Sequence, residues 1–227
     1  KSRSDDMQQV LENTRTIAAA GAKEIVLTGI NLGDFGKGLY GGRKKDITFF
    51  DLVQLLEKES PINRFRISSI EPNLLSNEMI HFVAESKKFM PHFHIPLQSG
   101  NDKTLAAMRR RYQRALYQEK VLLIKQLMPH CAIGVDVIVG FPGETDEDFE
   151  DTVQFIRSLP VSYLHVFTYS ERDNTQALQI KPVVPVAVRN ARNKVLRNLS
   201  YEKLIAFTNE QAGSIRPVLF EGVNKNQ

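Results

Sequence analysis

Cysteine is almost missing from these 227 residues: there is one, Cys131, and no tryptophan. A lone thiol excludes an internal disulfide framework. It also excludes a metal or iron–sulfur site built from three or four cysteines of this chain alone, and it points to a reducing compartment. Long apolar runs are lacking too. None reaches the roughly 18–20 residues of a membrane-spanning helix. The opening Lys1-Ser2-Arg3-Ser4-Asp5-Asp6 carries no apolar stretch behind it, so no signal peptide is expected. Strong charge of one sign is absent as well. The 30 Lys and Arg against 26 Asp and Glu leave +4, which allows a polyanionic partner without demanding one. What the chain does have is 42% hydrophobic residues and 13 Phe, enough for one folded domain or one domain and part of another.

Apolar bursts alternate with segments of helical period. Helices are predicted over Asp6–Ala20, Phe49–Lys58, Ser76–Ser86, Asp102–Arg109, Arg114–Met128, onward from Thr145, and over Pro185–Ala212. Val188, Val195, Leu199, Leu204 and Phe207 line one side of the last. Strands are predicted over Glu24–Thr28, Phe65–Ile70, His92–Ile95, Ala132–Val139 and Tyr163–Thr168, and the glycine-rich Asn31–Lys45 reads as a loop. Strands separated by helices imply right-handed crossovers and a parallel sheet, either a barrel or part of one, or a doubly wound open sheet. Both arrangements place the working face at the loops after the strand C-termini. Those loops are Gly29–Lys45, Glu71–Asn73, Pro96–Asn101, Gly140–Glu144 and Tyr169–Gln176. No strand precedes the first helix, and Ser214–Gly222 resembles the opening strand of another β domain. Both ends therefore look cut from a longer polypeptide, with a core over residues 1–212 and the start of a second unit over 213–227.

Several groups could carry chemistry. Gly140-Phe141-Pro142-Gly143-Glu144-Thr145 joins a strand to a helix start, which could hold an anion, although a tight turn explains it better. Gln98 offers a donor and an acceptor suited to a ribose or an amino-acid head group, or to its own loop. Arg109, Arg110, Arg111 and Arg114 form the densest basic run, and Arg189, Arg192, Lys194 and Arg197 a second basic face; solvation is the default for both. His92 and His94 are read as one interior and one helix-packed imidazole, an arrangement unsuited to sharing a metal. Cys131 reads as a buried structural thiol. Glu71 and Asp136 are acids at or inside strands. Asp136, between Val135 and Val137, needs a partner or a function to be there.

Six segments occur in an order that resembles one family. They are Ile25–Gly36 (Ile-Val-Leu-Thr-Gly-Ile-Asn-Leu-Gly-Asp-Phe-Gly), Arg66–Pro72, His94–Gly100 (His-Ile-Pro-Leu-Gln-Ser-Gly), Met108–Tyr112, Asp136–Thr145 (Asp-Val-Ile-Val-Gly-Phe-Pro-Gly-Glu-Thr) and Phe167–Ser170. Together they resemble the radical S-adenosylmethionine (SAM) methylthiotransferases, over Lys1 to about residue 220. The tRNA N6-threonylcarbamoyladenosine methylthiotransferases are the nearest subgroup, through Asn31–Gly36 and Ser68–Pro72.

The resemblance implies a partial TIM-like (β/α)6 barrel, here without its first strand and its cluster loop. Family members hold one 4Fe–4S cluster on a CxxxCxxC loop and an auxiliary one on three cysteines of a preceding domain. Neither cysteine set is present here. The implied activity is addition of a methylthio group at C2 of the modified adenosine 37 in a tRNA anticodon loop, by a cytoplasmic enzyme whose cofactors carry the chemistry. The adenine would have to leave its stack to be reached.

Implied SAM contacts are Gln98 and Ser99 near the ribose and methionine, Arg110 at the methionine carboxylate, Asp136 at the ribose and Asn31 at the amino group. Phe167, Thr168 and Tyr169 would lie at the adenine, and Glu71 and Arg172 at substrate or SAM. Two alternatives stand beside this reading: a ribosomal-protein methylthiotransferase, and a non-catalytic RNA-binding module.

Overall fold

The computed structural model describes residues 4–36 and 47–220. Most of the glycine-rich stretch predicted as a loop, residues 37–46, lies outside the described residues, as do 221–227. The elements run α1 (Met7–Ala19), β1 (Ile25–Leu27), α2 (Phe49–Glu59), β2 (Phe65–Ile67), α3 (Asn77–Glu85), β3 (His92–His94), α4 (Asp102–Ala107), α5 (Arg114–Leu127), β4 (Ala132–Val139), α6 (Asp146–Ser158), β5 (Tyr163–Thr168) and α7 (Val186–Glu210). Helix starts follow the local sequence. The Ser76 hydroxyl accepts from Met79 N, and Thr48/Asp51 and Thr145/Asp148 form reciprocal capping boxes.

All strand pairings are parallel. β1 pairs with β2, and β3 with β4 and β4 with β5. Bridges at Phe65–Phe89 and Ser69–His94, with Ile70 N donating to His94 O at 3.1 Å, join the two sheets in the order 1-2-3-4-5. Five parallel strands in sequential order, with helices on the outside, form the partial TIM-like barrel expected. The sheet does not close: β1 and β5 are both edges among the described residues.

Strand parity sorts the side chains. Ile133, Val135, Val137 and Val139 of β4, Phe93 of β3 and Leu164 of β5 are buried against the helices, in one core with Tyr117, Val121, Ile124, Val153 and Ile156. Residues of the other parity face the barrel interior: Arg66, His92, His94, Asp136, Ile138 and His165. The expectation for His92 and His94 is therefore corrected. Residues two apart on a strand share a face, and it is Phe93 between them that packs outward.

A second correction concerns α7. Its buried face is Arg189, Arg192, Leu196 and Leu199, while Val195 and Leu204 of the predicted apolar side are exposed. The helix seals the β5 edge. Ser200 Oγ accepts from Leu164 N at 2.8 Å and donates to Leu164 O at 3.1 Å, and Asn193 Nδ2 donates to Val166 O at 3.1 Å. The edge next to the position of the expected missing strand is β1, and α7 does not cover it. Residues 214–220, read as a strand, carry no regular structure in this chain, and Ile215, Val218 and Phe220 are exposed. No described helix is long and apolar enough to cross a membrane.

Candidate cofactor cleft and barrel lumen

The loops after the strand C-termini bound a cleft of about 880 Å³, lined by the end of α4 (Met108, Arg109, Arg110), Ile138 and Phe141 after β4, Tyr169 after β5, and the 3₁₀ turn Gln176–Gln179. Arg110 reaches it because α4 ends in a reversal. Arg110 N donates to Leu105 O and Arg109 N to Ala106 O, both at 2.9 Å, with Arg109 left-handed at φ 56°. The Arg110 Nη1 donates to Glu71 Oε1 at 3.3 Å, and its Nε is buried with no partner among the described residues. Arg111 is exposed, and Arg114 lies over the Phe155 ring at 5.7 Å. The basic run thus divides between site, solvent and packing.

Gln98 sits beside β4. Its N donates to Asp136 O at 2.8 Å, its O accepts from Ile138 N at 2.9 Å, and its φ is 68°. The side-chain amide has no hydrogen bond among the described residues. The neighbouring Tyr112 Oη donates to Pro96 O and Leu97 O, and burial pushes that phenol far up, so it stays a neutral donor holding the loop. Ser99 turns the other way: its buried hydroxyl meets Thr152 Oγ1 of α6 at 3.2 Å.

The residues implied at SAM and substrate do not share one cavity. Tyr169 and Arg110 line the cleft, and Glu71 touches it through its bond to Arg110. Asn31 lies in a different groove of about 780 Å³ between α1 and β1. Its Nδ2 donates to Asp34 Oδ2 at 3.3 Å and its Oδ1 is buried without a partner among the described residues. Thr168 faces a polar groove against Asn190, Lys194 and Arg197 of α7, and Phe167 and Arg172 are exposed.

Asp136 is one step deeper than Ile138 on the same face of β4. Its Oδ1 meets His94 Nε2 at 2.8 Å and His165 Nδ1 at 3.3 Å. Sequence reasoning singled out Asp136 but missed its two partners, and it did not consider His165. The available signal was parity: three polar residues at interior positions of adjacent strands. Beside them, burial, with Arg66 and His94 adding to it, lowers His92 to about 4, and its Nε2 lies 3.0 Å from Tyr163 Oη. Gly134 leaves room for that tyrosine, since a Cβ there would lie 2.5 Å from its ring.

The Gly140–Thr145 turn is held from behind. Glu144 accepts from Gly140 N at 2.7 Å and from Arg192 Nη1 at 2.6 Å; Arg192 Nη2 also bonds Asp146. Arg189 donates to Val184 O, Tyr169 O and Glu171. The supposed basic face of α7 is thus half internal scaffold. The first turn of α6 carries Asp146, Glu147 and Asp148, which repel an anion; the segment is a structural turn.

A partial parallel barrel with its cleft at the strand C-termini defines a class shared by many cofactor-using enzymes. Residues 1–156 match the family model described as "Radical SAM superfamily", and the chain belongs to that superfamily. Among curated relatives, it is 35% identical over 222 residues to the threonylcarbamoyladenosine tRNA methylthiotransferase MtaB of Aquifex aeolicus, covering 97% of this chain and 53% of that protein. The MtaB of Bacillus subtilis is 36% identical (96% and 48%), and the tRNA-2-methylthio-N(6)-dimethylallyladenosine synthase of Pelotomaculum thermopropionicum also 36% (98% and 48%). The chain spans about half the length of these relatives. Among solved structures, coproporphyrinogen III oxidase (HemN) of Escherichia coli aligns with TM-score 0.55 at 15% identity, over 90% of this chain and 46% of its own. The radical SAM methyltransferase TsrM of Kitasatospora setae gives 0.56 at 15%, over 72% and 31%. These two share the fold.

The superfamily implies SAM and a 4Fe–4S cluster, and the residues present answer differently for each. In the cleft, Arg110 Nε, buried without a partner among the described residues, fits a ligand carboxylate, whereas Asn31 Oδ1, also without a partner among them, lies in the other groove and takes no part in that fit. The cluster does not fit this chain. Cys131 is the one thiol, fully buried at the start of β4 and pushed by burial to about 12.

Proposed function

We propose that this chain is the SAM-binding barrel segment of a tRNA methylthiotransferase acting at C2 of a modified adenosine 37. The observation that supports it most is identity of 35–36% along 96–98% of the chain to proteins named for that reaction class. SAM, when bound, would supply the radical, with the electron coming from a reductant that these residues do not hold, and the methyl group. This chain's part is to hold it: Arg110 at a carboxylate, Gln98 with its unused amide at a polar edge, and Ile138, Phe141 and Tyr169 as the apolar wall. Glu71 orients Arg110, and Arg172 stands at the rim for substrate. Ser99, with its hydroxyl on Thr152, would act through its backbone, as would Phe167 and Thr168. The anticodon loop of tRNA is the proposed partner.

A chimera tests this. Residues 1–227 replace the corresponding segment of the Bacillus subtilis relative, and 2-methylthio nucleosides are measured in tRNA by mass spectrometry from a strain lacking that enzyme. Restored methylthiolation, lost again on Arg110→Ala, is the expected result. A folded chimera that modifies a ribosomal protein instead, or binds tRNA without modifying it, would favour the alternatives. The isolated 227 residues, treated anaerobically with iron and sulfide, should take up no stoichiometric cluster and release no 5′-deoxyadenosine with dithionite and SAM; cluster absorbance with product would overturn the assignment of that chemistry to segments outside this chain.

A further inference from the structure

His94, Asp136 and His165 stand at interior positions of three adjacent strands, β3, β4 and β5. Asp136 and His165 are direct register partners, and His94 pairs with Gly134, two residues earlier on the Asp136 face. The three ligand atoms lie within 4.8 Å of one another. We propose that these side chains form a binding site for a divalent transition-metal ion, with zinc as the expected occupant. The inference rests on strand geometry and is independent of the functional reading above.

Four features support it. The first is spacing. Bonds of about 2.0–2.2 Å to nitrogen and oxygen place neighbouring ligands of a tetrahedral or octahedral ion about 2.8–3.5 Å apart. The observed separations are 2.8 Å for His94 Nε2 to Asp136 Oδ1 and 3.3 Å for His165 Nδ1 to Asp136 Oδ1. The second is donor type. Two imidazoles and a carboxylate suit zinc, cobalt, nickel or ferrous iron, and not calcium or magnesium, which take oxygen.

The third is access. The His165 side chain is 51% exposed, Asp136 21% and His94 16%, so an ion can enter from the lumen and keep coordination positions for water or a ligand. The fourth is support. Each residue is carried on a paired strand rather than a loop, and the Tyr163 ring packs beside His165 with centroids 5.3 Å apart. Without a cation, one carboxylate oxygen has two imidazole nitrogens within hydrogen-bond range. With one, both nitrogens and that oxygen become ligands.

The test uses the 227-residue chain, freed of metal by chelator, in calorimetric titrations with zinc and cobalt chlorides at pH 7.5. The expected result is one equivalent bound, with visible absorption from the bound cobalt and no heat from millimolar magnesium or calcium. His165→Ala and Asp136→Asn should each weaken zinc binding by at least the roughly 10- to 100-fold that even an outer hydrogen-bond partner contributes. Controls at the remote histidines, His81→Ala and His130→Ala, should bind as the parent does. Circular dichroism checks folding, and His165→Ala keeps the test decisive if Asp136→Asn fails to fold. Absence of stoichiometric binding by the parent, or undiminished binding by His165→Ala, would overturn the proposal.

Discussion

Arg192 and Glu144 lie behind the Gly140 turn with 6% and 1% of their side chains exposed, whereas His165 and Asp136 stand in the lumen at 51% and 21%. Both groups join an acid to bases, yet their surroundings differ. The Glu144 carboxylate is closed in by Gly140 N and by a guanidinium that also bridges Asp146 and covers the Phe149 ring at 5.3 Å. Nothing can reach it, so it holds a turn in place. The lumen group has one open side and is carried on strands whose core residues Phe93, Val135, Val137 and Leu164 face away, so it can exchange partners without unfolding the sheet. Burial decides which charged cluster is scaffold and which is available to a ligand.

Breaking the closed cluster should give the largest effect. Arg192→Met leaves the Glu144 carboxylate buried without its cation, a loss of about 3–5 kcal/mol. Burial already raises Glu144, with Gly140 N and Arg192 acting against it, and removal of the arginine raises it further. A carboxyl raised on folding contributes stability at acid pH that is lost as pH rises. The deficit of the variant relative to the parent should therefore be larger at pH 7 than at pH 4.5 in urea titrations. An equal deficit at both would show that Glu144 is not the group left unpaired.

A milder break targets the same turn. Gly140 has φ +75°, and a Cβ there would sit 2.3 Å from Arg189 Cγ. Strain and overpacking together should cost Gly140→Ala about 2–4 kcal/mol, read as a lower denaturation midpoint at unchanged slope. A loss under about 0.5 kcal/mol would mean that Arg189 moves aside freely. In the lumen, His165→Ala should change stability by no more than about 0.5 kcal/mol, as for other half-exposed substitutions. A loss of about 2 kcal/mol or more, the value for a buried group left unpaired, would make the lumen group scaffold too and erase the contrast.

Much of this architecture was legible in order along the chain. Helix starts announced themselves through Ser76 and through Thr145 with Asp148, because a cap is a contact between residues two or three apart. The strands were found by short apolar bursts, although β2 ends at Ile67 and not Ile70. Where the reading failed, the deciding contacts were distant in sequence. Arg189 and Arg192 looked like a solvated face because Glu171, Glu144 and Asp146 lie 18 to 48 residues away. His94 is a different failure: it seemed unsuited to a shared site because His92 and His94 were placed on opposite faces, a local parity error, and its partners on β4 and β5 lie 42 and 71 positions on. Arg110 and Glu71 meet across 39 residues.

By itself the sequence determined the alternation of strands and helices, hence a parallel sheet, and the ordered motifs of a radical SAM barrel, because hydrophobic period and turn chemistry are local. It also determined that one thiol cannot ligate a cubane cluster. Only the tertiary structure decided that Asn31 occupies a groove apart from the Arg110 cleft, that α7 closes the β5 edge with Ser200 and Asn193, and that Asp136 stands between two histidines. Those outcomes depend on strand register and on which charges are sealed from water, and both are set only once the whole sheet has assembled.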